Sequence, residues 1–123
     1  MTALAPDGTN FTLTGPNTAP VVVLIHGLGL NIECWQWMIP DLTDCYRVLS
    51  YDLYGHGGSN DPVTEPNLSL FSKQLRDLLD YCKIQKAVII GFSLGGMIAR
   101  RFAQDAPQKS QGMVILHSPH RRS

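Results

Sequence analysis

Neither sign of charge prevails in this chain: ten Lys and Arg residues face ten Asp and Glu. That balance removes the overall field by which a protein gathers nucleic acid or an anionic membrane surface. A local excess, Arg100, Arg101, Lys109, Arg121 and Arg122 against Asp105 alone, reads as the solvated face of a helix and a polar tail. Long apolar runs are missing too, and the N-terminus has no basic segment followed by an apolar one. The expectation is a cytoplasmic protein with neither a membrane nor a nucleic-acid partner. Cysteines are scarce: Cys34, Cys45 and Cys82 form no CxxC pair, and an odd count argues against a disulfide framework. We read them as small buried hydrophobes. His26, His56, His117 and His120 lack zinc-ligand spacing, so no metal or cofactor is expected. No internal repeat or low-complexity tract is visible.

What remains is an ordinary globular composition, 44% apolar, at a length of 123 residues that suits one domain. Residues 1–20 are turn-rich, and Asp7-Gly8 between short runs predicts a hairpin with Phe11 and Leu13 on its second strand. Apolar, β-branched segments predict strands at Val21 to Ile25, Tyr46 to Tyr51, Ala87 to Gly91 and Met113 to Leu116. Between them we expect three helices. Glu33 to Leu42 is a short one that Pro40 shortens or kinks, with Trp35, Met38, Ile39 and Leu42 on one side. Ser69 caps the longest, about Leu70 to Cys82, whose Phe71, Leu75, Leu78, Leu79 and Cys82 form a buried stripe. Leu94 to Gln104 carries Met97, Ile98, Phe102 and Ala103 inward. Strands alternating with helices imply an α/β fold with a mostly parallel sheet and flanking helices.

Three glycine-rich turns leave three of these strands at their C-terminal ends, where open α/β sheets hold their ligands. The most informative is Gly91-Phe92-Ser93-Leu94-Gly95-Gly96. A strand that reverses into a helix at Ser93 strains that residue and crowds its neighbours, so small residues are needed two positions away on either side. The plain alternative, an ordinary helix-capping serine, does not need the glycines. The N–H groups of Leu28, in His26-Gly27-Leu28-Gly29, and of Leu94, at the helix start, can together hold an oxyanion. His26 is expected to brace its loop rather than act as a base.

His26-Gly27-Leu28-Gly29, then Asp52-Leu53-Tyr54-Gly55-His56-Gly57-Gly58-Ser59, then the Ser93 turn resemble the three N-terminal signatures of the α/β-hydrolase fold. The likeness runs from about Val21 to Pro119, and its flavour is that of esterases, enol-lactonases and C–C hydrolases. It implies Ser93 as nucleophile on an ester, lactone or related small carbonyl substrate. Leu28 and Leu94 would be backbone donors, and His26, Gly27, Gly29, Asp52, His56, Gly91 and Gly95 would shape the supporting loops. Trp35, Trp37 and Tyr54 are candidates for a pocket wall, with core packing an equal alternative for Trp35.

The pattern departs from the family after Ser93. The triad order is Ser, then Asp or Glu, then His, and Asp105, late in the next helix, is the one acid that follows. His117 and His120 are possible stand-in bases without an evident orienting carboxylate. The resemblance therefore implies an α/β-hydrolase core truncated before the lid and last strands, with an N-terminal hairpin over about 1–20 and a core over about 21–119. A cut fragment, a truncation, an inactive gene product and a short hydrolase completed by self-association all fit. Alone, the chain is expected to be inactive or weak. Non-catalytic ligand binding and a purely structural half are the other readings. Met113 to Leu116 would be an open parallel edge, which invites a complementary C-terminal fragment or a second copy.

Overall fold

In a computed structural model that describes residues 2–117, the apolar runs become a six-stranded sheet. A hairpin of β1 (Ala3–Leu4) and β2 (Asn10–Thr14) opens the chain, turning at Asp7-Gly8. β2 then pairs antiparallel with β4 (Arg47–Tyr51). β3 (Val21–Ile25) lies parallel between β4 and β5 (Ala87–Phe92), and β6 (Ser110–Leu116) pairs parallel with β5. The spatial order is β1-β2-β4-β3-β5-β6, so the Ser93 strand has partners on both sides and, among the described residues, β6 has none on its outer side.

The period-two alternation of the strands feeds two cores. Val23, Ile25, Leu49, Tyr51 and Ile89 face α2 (Leu68–Tyr81) and α3 (Leu94–Asp105). Val22, Leu24 and Val48 face Trp35, Met38, Ile39 and Leu42 on the opposite side. The α2 stripe is as the spacing predicts: Phe71, Leu75, Leu78 and Leu79 are buried. Each such leucine stabilises the fold by about 2 kcal/mol on burial. No helix among the described residues is long and apolar enough to cross a membrane.

Four local expectations are corrected. Asn67, not Ser69, caps α2: its Oδ1 accepts from the Leu70 N–H at 2.8 Å, so the helix starts at Leu68 and ends at Tyr81. The helix expected over Glu33 to Leu42 splits into a 3-10 turn, Ile32–Trp35, and the single turn α1, Ile39–Leu42. Pro40 sits at the start of α1, where its missing N–H costs nothing. Met97 points outward and is 56% exposed, because the inward face of α3 is set by Gly95, Ile98, Ala99 and Phe102. Of the cysteines expected to be buried, Cys45 is exposed and Cys34 and Cys82 are half-buried.

β6 shows both its faces at the open edge. Met113 and Val114, on opposite faces, are 43% and 45% exposed. Ile115 turns toward α3, so close that a Cβ at Gly96 would lie 2.7 Å from its Cγ2.

Candidate active site

Ser93 sits between β5 and α3 with φ 57° and ψ −114°, a conformation that costs a non-glycine residue about 1–3 kcal/mol. Three backbone bonds hold it there. Its N–H donates to the Leu116 carbonyl at 3.0 Å, and its own carbonyl accepts from Gly96 and Met97 at 2.9 and 3.3 Å. Ser93 is exposed, occupies the N-cap position, and makes no side-chain capping bond. The hydroxyl is therefore not consumed by the helix start, and the capping alternative fails.

Space explains the flanking glycines. A Cβ at Gly91 would lie 2.1 Å from the Gly95 carbonyl oxygen, and one at Gly95 would lie 2.1 Å from the Ile25 oxygen. The second contact also shows that the end of β3 abuts the start of α3. Gly27 presses on Phe92, whose ring would be 3.1 Å from a Cβ there. The loop after β3 thus packs directly on the residue before Ser93. Leu28, 75% exposed, follows in a turn closed by Leu30 N–H to Gly27 oxygen at 3.1 Å. Leu94 opens α3, so its N–H has no acceptor within the helix.

His26 is fully buried and joins two loops. Its Nε2 accepts from the Leu53 N–H at 3.0 Å, which leaves the proton on Nδ1 to donate to the Gly27 oxygen at 2.7 Å. Burial pulls its pKa below the ordinary value, with the nearby His56 ring acting in the same direction. The two rings are 5.0 Å apart, and His56 Nδ1 donates to the Tyr54 oxygen at 3.0 Å.

Asp52 is buried and spent on backbone and amide donors. Oδ1 accepts from Ile32 N–H at 2.7 Å, and Oδ2 accepts from Asn10 Nδ2 and Gly58 N–H, both at 2.9 Å. Its carbonyl accepts from Ser59 Oγ at 2.6 Å and Gln74 Nε2 at 3.2 Å. Gly57, at φ 48°, passes so close that a Cβ would lie 2.3 Å from Oδ2. Asn10, Ile32 and Gln74 carry no motif, and nothing in the sequence marks them as partners of an aspartate up to 42 positions away.

Ser93 and His117 line one cavity of about 370 Å³, with Gly96, Met97, Arg100 and Ile115. A second cavity, of about 320 Å³, runs from His117 past Phe92 and Leu116 to Trp35 and Trp37. Tyr54 lines neither of them, and its hydroxyl donates to Asp7 Oδ2 at 2.6 Å. Asp105 ends α3, paired with Arg101 at 3.1 Å. His120 lies outside the described residues.

A family model described as alpha/beta hydrolase fold matches residues 20–122. An uncharacterised protein of Mycobacterium bovis is 33% identical over 99 residues, which is 80% of this chain and 29% of that protein. A 3-oxoadipate enol-lactonase of Acinetobacter baylyi is 28% identical over 109 residues, 89% of this chain and 41% of the enzyme. A solved structure from a study of carboxylesterases of Nitrososphaera gargenis superposes with a TM-score of 0.86 at 30% identity. It is matched by all of this chain and over 47% of its own. The chain thus spans between about a third and a half of the length of these relatives.

Proposed function

The chain belongs to the alpha/beta hydrolase fold family, and from that premise we propose that it carries the nucleophile half of a serine hydrolase acting on an ester, lactone or related carbonyl compound. One observation carries the reading. Ser93 is held at φ 57° on a strand-to-helix turn with its hydroxyl free of any capping bond. Ser93 Oγ attacks the carbonyl carbon while the N–H groups of Leu28 and Leu94 receive the developing oxyanion. A base takes the Ser93 proton and passes it to the departing alkoxide, and water then cleaves the acyl-enzyme. The enol-lactonase and carboxylesterase likenesses support this substrate class.

His117 shares the Ser93 cavity, and Asp105, the one acid after Ser93, is paired with Arg101 instead of orienting a base. We therefore assign the main base to residues that pair along β6, from a complementary segment or a second copy, and expect little turnover from residues 1–123 alone. The bare edge of β6, with Met113 and Val114 exposed, supports this completion. Sedimentation velocity of the isolated chain is expected to show self-association, and a monodisperse, cooperatively unfolding monomer overturns it.

A fluorophosphonate probe tests the nucleophile. Mass spectrometry is expected to find the adduct on Ser93 and to lose it in Ser93→Ala. A second reading, ligand binding without turnover, is favoured by the capture of Asp105 by Arg101, which leaves no carboxylate after Ser93 free to orient a base among the described residues. Binding of a carbonyl ligand with no labelling of Ser93 supports that reading instead.

A further inference from the structure

We infer that the chamber between the elbow and the Ile32–Trp35 turn is a subsite for an arylmethyl group on the acyl side of the reacting carbonyl, with Trp37 as its specificity-determining wall. The inference rests on the hydrolase reading and adds the shape of the substrate to it. The chamber, about 320 Å³, falls in the range of small-molecule sites. Three of its walls are aromatic: Trp35, Trp37 and Phe92, with Leu30 and Cys34 filling between them. Aromatic walls favour a flat aromatic guest, which offers ring edges and faces to each of them. Burial pushes the Cys34 thiol up to about 11, so it lines the chamber as a neutral, polarisable group.

Position ties the chamber to the chemistry. Phe92 immediately precedes Ser93 and packs against Gly27, next to Leu28. A group seated on the Phe92 ring is therefore one residue from the nucleophile and one from the oxyanion loop. His117 lines both this chamber and the Ser93 cavity, so the two open toward a common point. Trp35 is 3% exposed and belongs to the core, whereas Trp37 is 68% exposed and, among the described residues, belongs to neither core cluster. An exposed indole on the wall of a chamber that meets the Ser93 cavity at His117 is free to contact a substrate.

The molecule contains its own reporter, because its two tryptophans both line the chamber. The probe is 2-phenylacetamide, a neutral carbonyl compound that resists hydrolysis, with acetamide as the control. The 123-residue chain is expected to show a saturable shift in tryptophan emission with 2-phenylacetamide and none with acetamide. Ser93→Ala keeps the response. Trp37→Ala, which retains Trp35 as reporter, weakens binding about tenfold, and Leu30→Trp, which fills the chamber, weakens it too. An equal response to acetamide, no saturable response, or unchanged affinity in Trp37→Ala overturns the subsite. Fluorophosphonate labelling is read in parallel. Labelling without an aryl response sinks the subsite and spares the hydrolase reading, and the converse result does the opposite.

Discussion

The turn after β4 and the turn after β5 both leave the sheet at its C-terminal end, and both are glycine-rich, yet they are held in opposite ways. Around Asp52, side chains do the holding: its carboxylate takes three donors and its carbonyl two more, so the polar atoms of the loop are spent on one another. Around Ser93, backbone does the holding. Leu116, Gly96 and Met97 grip the main chain, and the hydroxyl makes no capping bond. A saturated loop can keep a shape but has nothing to offer a substrate. A loop fixed through its backbone keeps a side chain placed without spending it on a capping bond, at the cost of strain in the residue that bears it. The contrast separates two residues that look equally functional in a motif, Asp52 and Ser93.

Removing the Asp52 carboxylate is the most damaging way to probe that contrast. Asp52→Ala strands the Ile32 and Gly58 N–H groups and the Asn10 amide, and is expected to cost about 3–5 kcal/mol, read as a fall in the urea midpoint at constant m. Asp52→Asn, with its oxygen kept toward Asn10 and Gly58, is expected to lose about half as much. If Asp52→Ala unfolds at the wild-type midpoint, the loop is not held by its side chains. The elbow is expected to break by crowding instead. Gly95→Ala drives a methyl group into the Ile25 oxygen and is expected to destabilise by about 3 kcal/mol. Gly112→Ala on β6, with nothing within 4 Å of its Cβ, is expected to stay within about 0.5 kcal/mol of wild type.

The smaller third effect has the opposite sign. Ser93→Gly relieves the positive φ at the elbow, and is expected to stabilise the chain by about 1 kcal/mol while abolishing fluorophosphonate labelling. A stabilised variant that cannot be labelled would show that the elbow trades stability for a poised hydroxyl. A destabilised one would show that the Ser93 side chain has a structural role after all.

These two loops also differ in how far they are legible in the amino-acid string. The strands are legible because short apolar, β-branched runs between turns have few other uses. The elbow is legible because steric crowding at Gly91 and Gly95 acts over two residues. The Asp52 knot is not, since Asn10, Ile32 and Gln74 meet it only after the sheet has assembled, and each alone is an unremarked polar or apolar residue. Helix ends fall between these cases. Asn67 and Ser69 are both good caps, and Asn67 wins because Leu68 then starts the helix with its apolar side toward the core. Met97 turns outward although it is apolar, because helical phase decides: Gly95, Ile98, Ala99 and Phe102 already fill the inward face. Trp37 is apolar yet exposed for a different reason: it lies in the irregular stretch between the 3-10 turn and α1, where no periodicity assigns it a face.

His26 connects the saturated loop to the poised one, and its titration offers the finest test. Its Nε2 accepts from Leu53, beside Asp52, and its Nδ1–H donates to Gly27, beside the elbow. Only the neutral ring can do both, because a protonated Nε2 would point a proton at the Leu53 N–H. Burial depresses the native pKa below the ordinary 6.5 that the unfolded chain keeps. Below that value the unfolded state binds a proton at His26 that the native state refuses, so folding stability falls with falling pH. The contribution is fully present above about pH 6.5 and is lost progressively as the pH drops toward the depressed native value. The informative quantity is the difference between variant and wild type. His26→Gln keeps an acceptor and a donor without a titrating ring. Urea midpoints of His26→Gln are expected to depend less steeply on pH below 6.5 than those of wild type. Parallel curves would mean that His26 is not the link between the two loops.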